Sequence, residues 1–469
     1  MPVFERVSRY PYPRALVFDW HTRPAAFLRM HPPGMTTALT PPTDGINVGS
    51  ESEIVVSHPL VAALLPGVSR RGVTGPIGVR WKLRHVELVP GELFVDEQLS
   101  GPFTRWRHEH AFADGPGGST VITDRVTWEL PVHLPGALDE ALVEMQLDGM
   151  FAFRARQLRD DLALHTRLAA PPMRVVMAGA SGLIGTQVAA LLTASGHDVV
   201  RLVRSGRPGP GTARWDPARH RLDPRILEGA DAVVNLSGHS IGGRFTAAHT
   251  KKIRASRLDS TGTLAGAAAA VRVPVWVQAS AIGLYGARRP DELLTEDAAP
   301  GEGLLADVVR DWEDAARPVT AAGARAVFLR TGIVLSEGGG ALAPQVPLFS
   351  IGMGGRLTKA AAWMSWIGLD DAVRGYVHAL ATPALSGPVN LVAPRPVSHG
   401  EFAATLGRVL HRPSAIPTPA LGPKAVLGAA GYDQMIDTDQ RVSAGKLVAS
   451  GFRFSQGTLV EALAHALMR

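Results

Sequence analysis

Residues 174–185 read Arg-Val-Val-Met-Ala-Gly-Ala-Ser-Gly-Leu-Ile-Gly, and this stretch decides the fold of the longer part of the chain. A short apolar strand, Arg174 to Ala178, runs straight into the loop Gly179-Ala180-Ser181-Gly182-Leu183-Ile184-Gly185. Thr186 to Ser195 has helical spacing, Gly196 stops it, and His197 to Val203 reads as a second strand. Strand, glycine-spaced loop, helix and strand within about 30 residues make one βαβ unit. The three glycines have separate tasks there. Gly179 allows a tight turn, Gly182 lets the backbone approach a pyrophosphate, and Gly185 lets helix and strand pack closely. The helix N-terminus adds unpaired N–H groups and a partial positive charge. Gly179, Ser181, Gly182, Leu183, Ile184 and Gly185 are therefore expected to hold a dinucleotide.

The end of the second strand selects between two dinucleotides. An NAD site would usually present Asp or Glu to the ribose hydroxyls about twenty residues past the glycines. Here the strand ends Leu202-Val203-Arg204-Ser205. The Arg204 guanidinium suits paired hydrogen bonds to a 2′-phosphate, so NADP(H) is the expected cofactor. An ordinary surface arginine is the plainer reading of the same residue.

Further strands come at the spacing of an α/β sheet. Asp231 to Gly238 ends in Leu236-Ser237-Gly238, small enough to leave room for a ligand where a sheet reverses its order. Val275 to Ser280 ends in a hydroxyl, and Ala326 to Gly332 contains Arg330.

These residues carry a resemblance. The loop at 179–185, Val233-Val234-Asn235-Leu236-Ser237-Gly238, and Arg244-Phe245-Thr246 with Lys252-Ile253-Arg254-Ala255-Ser256-Arg257 resemble the extended short-chain dehydrogenase/reductases. Within them they resemble an atypical, nucleoside-diphosphate-sugar-epimerase-like branch. Ser280-Ala281-Ile282-Gly283-Leu284-Tyr285-Gly286, Arg310-Asp311-Trp312-Glu313, Leu329 to Leu335, Met364-Ser365-Trp366-Ile367 and Gly387-Pro388-Val389-Asn390-Leu391 extend the match. The resemblance implies a doubly wound α/β (Rossmann) domain over 173–469, with a small C-terminal substrate lobe built from about 335–365 and 395–469. It implies cofactor contacts from Leu236, Ser237, Gly238, Ser280 and Arg257. Ordinary members carry a Tyr and a Lys four residues apart for proton transfer. With Glu313 as the family's downstream Glu, those places hold Leu305 and Val309, and neither transfers a proton. Ser280 and Tyr285 are left as the catalytic candidates. Backbone bonding of Ser280 and simple packing of Tyr285 are the plainer alternatives. Arg330 is a candidate substrate-anion contact or one half of a structural ion pair, and Trp366 a candidate wall of the substrate pocket. Gly368 stands where the family often has His.

The first part of the chain has another texture. Val79 to Leu83, Leu93 to Gln98 and Thr120 to Leu130 are rich in β-branched and aromatic residues, alternating with polar ones as half-buried antiparallel strands do. From Gly136 to Arg167 the period becomes helical, with Leu138, Leu142, Met145, Phe151, Leu158 and Leu162 recurring. Ala169-Ala170-Pro171-Pro172 then breaks the pattern, so 168–172 is the expected linker. The runs Phe94 to His110 and Thr123 to Pro131 resemble the START/Bet v 1-like superfamily. That resemblance implies an α+β helix-grip domain over 1–167, a curved sheet gripping its C-terminal helix around a hydrophobic ligand. Trp81, Phe94, Phe103, Trp106 and Trp128 serve equally well as core. His108 and His110, two apart on a strand, share a face. Sequence supplies no third ligand for them, and no metal is expected.

Composition narrows the classes. The 469 residues carry a formal net charge of +6 without a basic run, so no nucleic-acid partner is expected. There are no cysteines, which excludes disulfides, thiolate catalysis and Cys-ligated metals. No apolar stretch approaches a membrane span and the N-terminus lacks a signal-peptide pattern, so the expectation is a cytoplasmic protein without a membrane span. Two functions remain open. One is an NADP(H)-dependent oxidoreductase or epimerase-like enzyme acting on a hydrophobic small-molecule substrate, with a homodimer as an allowed assembly. The other is a catalytically silent NADP(H)-binding sensor or scaffold coupled to a hydrophobic-ligand carrier.

Overall fold

The structure is a computed structural model that describes residues 1–56, 78–131 and 138–469. The chain divides into two compact units. One holds Met1–Ala169 with Thr193–Gly196 and Met468; the other holds the remaining residues.

The first unit is built on one antiparallel sheet. Its strands are β1 (Val3–Tyr10), β2 (Thr36–Thr40), β3 (Glu51–Val56), β4 (Val79–Val89), β5 (Leu93–Ser100), β6 (Arg105–Asp114) and β7 (Thr120–Glu129), in the spatial order β1-β7-β6-β5-β4-β3-β2. Two short helices, α1 (Arg14–Thr22) and α2 (Ala26–Arg29), precede the long helix α3 (Leu138–Leu168). The first two residues of the helix expected from Gly136 lie outside the described residues. Alternation does the folding work on β7: Thr120, Ile122, Asp124, Val126 and Trp128 are buried while their neighbours are less so. α3 answers with Val143, Leu147, Met150 and Phe151, which pack with Trp106, Val126 and Trp128. One residue of the expected stripe is misplaced. Met145 is 47% exposed, because two helical steps from Val143 carry it to the far face.

The second unit is a parallel sheet. Its strands are β8 (Arg174–Ala178), β9 (Asp198–Val203), β10 (Thr212–Arg214), β11 (Ala232–Asn235), β12 (Val275–Ala281), β13 (Arg325–Thr331) and β14 (Gly387–Leu391). Their order is β10-β9-β8-β11-β12-β13-β14, every neighbouring pair parallel. The central strands are covered on both faces, which is why β8 and β11 read as unbroken apolar runs. The helices α4 (Leu183–Ala194), α5 (Ala247–Ala270) and α6 (Leu304–Asp314) come after β8, β11 and β12 in the chain. The order reverses between β8 and β11, so a crevice opens beyond their carboxyl ends. The C-terminal residues form a lobe with its own core, in which Leu335, Phe349, Met364, Trp366, Phe402 and Leu463 take part. No helix among the described residues is long and apolar enough to cross a membrane.

Candidate functional site

The loop after β8 lies at the sheet's reversal point, and its glycines divide as their positions demand. Gly179 adopts φ +82°, and a Cβ there would fall 2.5 Å from the Leu236 carbonyl carbon. A Cβ at Gly185 would fall 2.1 Å from the Gly179 oxygen. Both positions therefore exclude a side chain by backbone crowding. Gly182 is different: a Cβ there would meet only the Gly179 oxygen, at 3.5 Å. Its bare backbone is not needed by the protein's own packing, which leaves that face open for an approaching group. α4 begins at Leu183, one residue later, so its free N–H groups rise from the same place. The cradle fits a dinucleotide pyrophosphate.

The second wall is the segment after β11. The Leu236 N–H donates to the Ala178 oxygen at 2.9 Å, and the wholly buried Asn235 organises the residues just beyond it. Asn235 Oδ1 accepts from the Ser237 N–H (3.1 Å) and hydroxyl (2.5 Å), while its Nδ2 donates to Thr261 Oγ1 at 2.9 Å. Arg257 reaches this wall from α5. It donates to the His239 and Ile253 carbonyls at 3.1 Å each, and its guanidinium lies 4.8 Å from the Trp312 ring centre. Burial pulls the Arg257 pKa down to about 10, so it stays charged at neutral pH. A Cβ on Gly238 would sit 3.2 Å from that guanidinium carbon. Arg257 thus props the Leu236–Gly238 backbone. Arg204, one residue past β9, is exposed and has no side-chain hydrogen bond or ion pair among the described residues.

The residues singled out for chemistry are gathered by register. Ser280 on β12, Arg330 on β13 and Asn390 on β14 are successive cross-strand partners near the carboxyl ends of their strands. The Ser280 hydroxyl donates to Glu313 Oε1 at 2.5 Å. Arg330 grips the same carboxylate with two bonds of 3.0 Å and donates to the Tyr285 hydroxyl at 3.1 Å. Tyr285 donates in turn to Asn390 Oδ1 at 2.7 Å. Tyr285 is 0% exposed, and burial pushes its pKa up. Ser280, Tyr285 and Arg330 therefore form one interior network. Arg330 is the positive half of a buried ion pair in it. Leu305 and Val309 lie on α6, and Val309 is buried, so no proton donor stands at either family position. Trp366, expected to wall the substrate pocket, is wholly buried in the C-terminal lobe and donates to the Arg395 oxygen at 3.0 Å. It is a core residue here.

Sequence reading missed Asn235, Thr261 and Asn390 as organisers. Asn235 and Asn390 are buried polar residues amid apolar ones, a signal that points to a bonding partner without naming it; Thr261, among polar and small residues on its helix, carries no such signal.

In the first unit, sheet and helices line a cavity of about 140 Å³ whose walls combine apolar residues such as Phe27, Met30, Ile54 and Trp106 with polar ones such as His21, His31 and Arg154. His108 and His110 both point into it, and Asp96 and Asp124 line it beside them. Neither carboxylate stands out in the sequence, although Asp96 lies between Phe94 and His110 and Asp124 between Thr123 and Pro131. The β5–β6 register, Asp96 opposite His108, is the signal that finds the first of them.

Comparison with known proteins agrees with this geometry. Residues 175–391 match the NAD dependent epimerase/dehydratase family, and 418–466 match a domain of unknown function, DUF1731. The epimerase family protein Mb2239 of Mycobacterium bovis is 41% identical over 296 residues, which cover 63% of this chain and 98% of that protein. The human epimerase family protein SDR39U1 is 34% identical over 297 residues, 62% of this chain and 98% of its own. Among solved structures, a nucleoside-diphosphate sugar epimerase from Corynebacterium glutamicum superposes with a TM-score of 0.78 at 32% identity, covering 99% of this chain and 90% of that one. Human SDR39U1 (isoform 2), solved with NADPH, gives a TM-score of 0.58 at 33% identity over 63% of this chain and 99% of its own. With its glycine cradle at the sheet's reversal point, the chain belongs over its C-terminal part to the SDR39U1-like epimerase family of NAD(P)-binding proteins.

Proposed function

We propose that this protein is an NADP(H)-dependent oxidoreductase or epimerase-like enzyme acting on a hydrophobic small molecule. The observation that carries the reading is the cradle itself: Gly179 and Gly185 locked by backbone crowding, Gly182 open, and Arg204 unengaged beyond β9. The human relative solved with NADPH supports the phosphorylated cofactor. Gly179 to Gly185 would hold the pyrophosphate, Arg204 the 2′-phosphate, and the Leu236–Gly238 backbone the second side. When bound, the nicotinamide supplies hydride transfer. Arg257 fixes the Leu236–Gly238 wall. Glu313, held by Arg330, keeps the Ser280 hydroxyl oriented near the carboxyl end of β12.

The first unit extends the reading. Its antiparallel sheet, long final helix and largely apolar cavity support a START-like, helix-grip domain over 1–167 that holds a hydrophobic ligand, joined through 168–172 to the Rossmann domain over 173–469. A cysteine-free chain suits a reducing cytoplasm.

One observation favours a second reading. Tyr285 is fully buried and both of its hydroxyl's neighbours belong to the protein, as expected of a catalytically silent NADP(H) sensor or scaffold. Incubating the full chain with NADPH and a panel of hydrophobic ketones and aldehydes, while monitoring nicotinamide absorbance, separates the two. The enzyme reading expects turnover that Ser280→Ala lowers by about 10- to 100-fold, much more than it lowers cofactor affinity. Tight NADPH binding with no turnover of any compound would leave the sensor standing and remove the enzyme.

A further inference from the structure

We propose that the cavity of the first unit is a binding site for one first-row divalent metal ion, of the zinc or iron(II) kind, ligated by Asp96, His108 and His110. The three residues stand on two neighbouring strands. His108 and His110 are two apart on β6 and share a face, and Asp96 on β5 is the cross-strand partner of His108. Asp96 Oδ2 lies 3.3 Å from His108 Nδ1 and 3.7 Å from His110 Nε2, and the three donor atoms all fall within 4.8 Å of one another. Bonds of about 2.0–2.1 Å in a tetrahedron put neighbouring donors about 3.3 Å apart, the separation already present between Asp96 and His108, so His110 is the ligand that has to move inward.

The far side of both rings is built as a metal site requires. Asp124, on β7, lies 2.7 Å from His110 Nδ1 and 3.3 Å from His108 Nε2. Each imidazole thus turns one nitrogen to Asp96 and the other to Asp124. A neutral imidazole has a single N–H and cannot donate to both carboxylates. With a cation at the Asp96 end, both N–H groups face Asp124, the outer carboxylate that orients ligating histidines. Two carboxylates offset most of the positive charge that a divalent ion would add beside Arg154, which lines the same cavity, at a place where His108 is only 3% exposed and Asp96 and Asp124 8% each.

Two histidines and one carboxylate leave coordination positions open, as in sites where the metal meets a substrate or water. The cavity around the cluster is largely apolar and carries unspent polar groups. Trp106, 6% exposed, lines it with an indole N–H that has no partner among the described residues, and His85 lines it with an unpartnered Nδ1. An apolar ligand bearing a carbonyl or hydroxyl oxygen suits that arrangement, its oxygen on the metal and its body against Phe27, Met30 and Ile54.

The test uses the full-length chain, stripped with a chelator and titrated with Co²⁺ under calorimetry and visible spectroscopy. One equivalent should bind, give ligand-field absorption of a low-symmetry site, and be displaced by Zn²⁺. His110→Ala and Asp96→Asn should each weaken binding by at least about 100-fold, and Asp124→Asn by about 10- to 100-fold through the outer contact. NADPH binding should be unchanged in all three, and near-ultraviolet circular dichroism should show the tryptophan-rich core intact. The wild-type protein alone is decisive if a variant misfolds. Failure to take up one equivalent of Co²⁺ or Zn²⁺ overturns the proposal and makes the cluster a proton-sharing ion-pair network. Stoichiometric Co²⁺ that survives His110→Ala in a folded protein overturns it equally.

Discussion

The two units solve the same problem in opposite ways. Each must hold polar groups inside an apolar body. The second unit does its cofactor work with backbone, in a loop that is contiguous in sequence: Gly179, Gly182 and Gly185 act by what they lack. The metal site proposed in the first unit would use side chains brought together from three strands, Asp96, His108, His110 and Asp124. A backbone site is written along the chain. A side-chain site is written across it, in the register of strands, and becomes visible only once the pairing is known.

The largest effect that can break this comparison lies in the buried ion pairs, which both units contain. In the first unit Arg29 on α2 grips Asp161 on α3 through bonds of 2.8 and 2.9 Å, with side chains 1% and 0% exposed. In the second, Arg330 grips Glu313, with side chains 8% and 17% exposed. Removing one partner leaves a charge facing a low-dielectric interior, which costs about 3–5 kcal/mol. Asp161→Ala and Glu313→Ala should both lower stability by that order in denaturant titrations, the deeper pair by more. Glu313→Ala should also release the Ser280 hydroxyl, and Asp161→Ala should leave NADPH affinity alone. Equal loss of cofactor affinity in both would mean the units do not do separate work.

Next comes the cradle. Gly185→Val would push a side chain into the Gly179 carbonyl, which has no room to yield. NADPH affinity should fall by at least about 100-fold, roughly 3 kcal/mol, with cobalt uptake by the first unit unaffected. Retained affinity would remove the backbone half of the comparison.

A smaller effect sharpens cofactor choice. Arg204 is exposed and makes no polar contact among the described residues, so Arg204→Asp should cost little stability. Its competition-binding ratio of NADPH to NADH should shift toward NADH by about 10- to 100-fold, or about 1.4–2.8 kcal/mol. An unchanged ratio would make Arg204 a surface residue.

The smallest effect is an acid sensitivity of the first unit. Burial, aided by the charge of Arg154, lowers the His31 pKa to about 3, against weaker opposition from the Phe27 carbonyl and Asp96. Between about pH 6.5 and 3 the unfolded chain takes up a proton that the folded one refuses. Stability therefore falls as pH drops through that window and levels off below it. His31→Gln should flatten the loss of stability between pH 7 and 4.5, read from denaturant titrations, by on the order of 1–2 kcal/mol. An identical slope in the variant would assign the acid sensitivity elsewhere.

How far the chain could be read reflects the same division. β8 ran from Arg174 to Ala178 as its apolar run implied, because a strand covered on both faces has nothing to alternate with. α4 began three residues before its expected start, since Leu183 and Ile184 already belong to its first turn. Met145 was misread because a helical stripe of imperfect spacing admits two neighbouring faces, and only the sheet chooses between them. Trp366 was legible as a candidate pocket wall but not as core, because a large aromatic in the run Met364-Ser365-Trp366-Ile367 looks the same in either place. Ser280, Glu313, Arg330, Tyr285 and Asn390 are spread over several separate motifs. That they form one network depends on β12, β13 and β14 standing side by side. Asp96 and Asp124 were hidden for the same reason.

In the proposed function the turn at 179–185 and the guanidinium at 204 hold a phosphorylated nicotinamide dinucleotide. Calorimetric titration of the full-length protein with NADPH, and separately with NADH, tests it most directly. A single site that binds NADPH at least about tenfold more tightly than NADH is expected. No measurable heat with either dinucleotide, or equal affinity for the two, would contradict it.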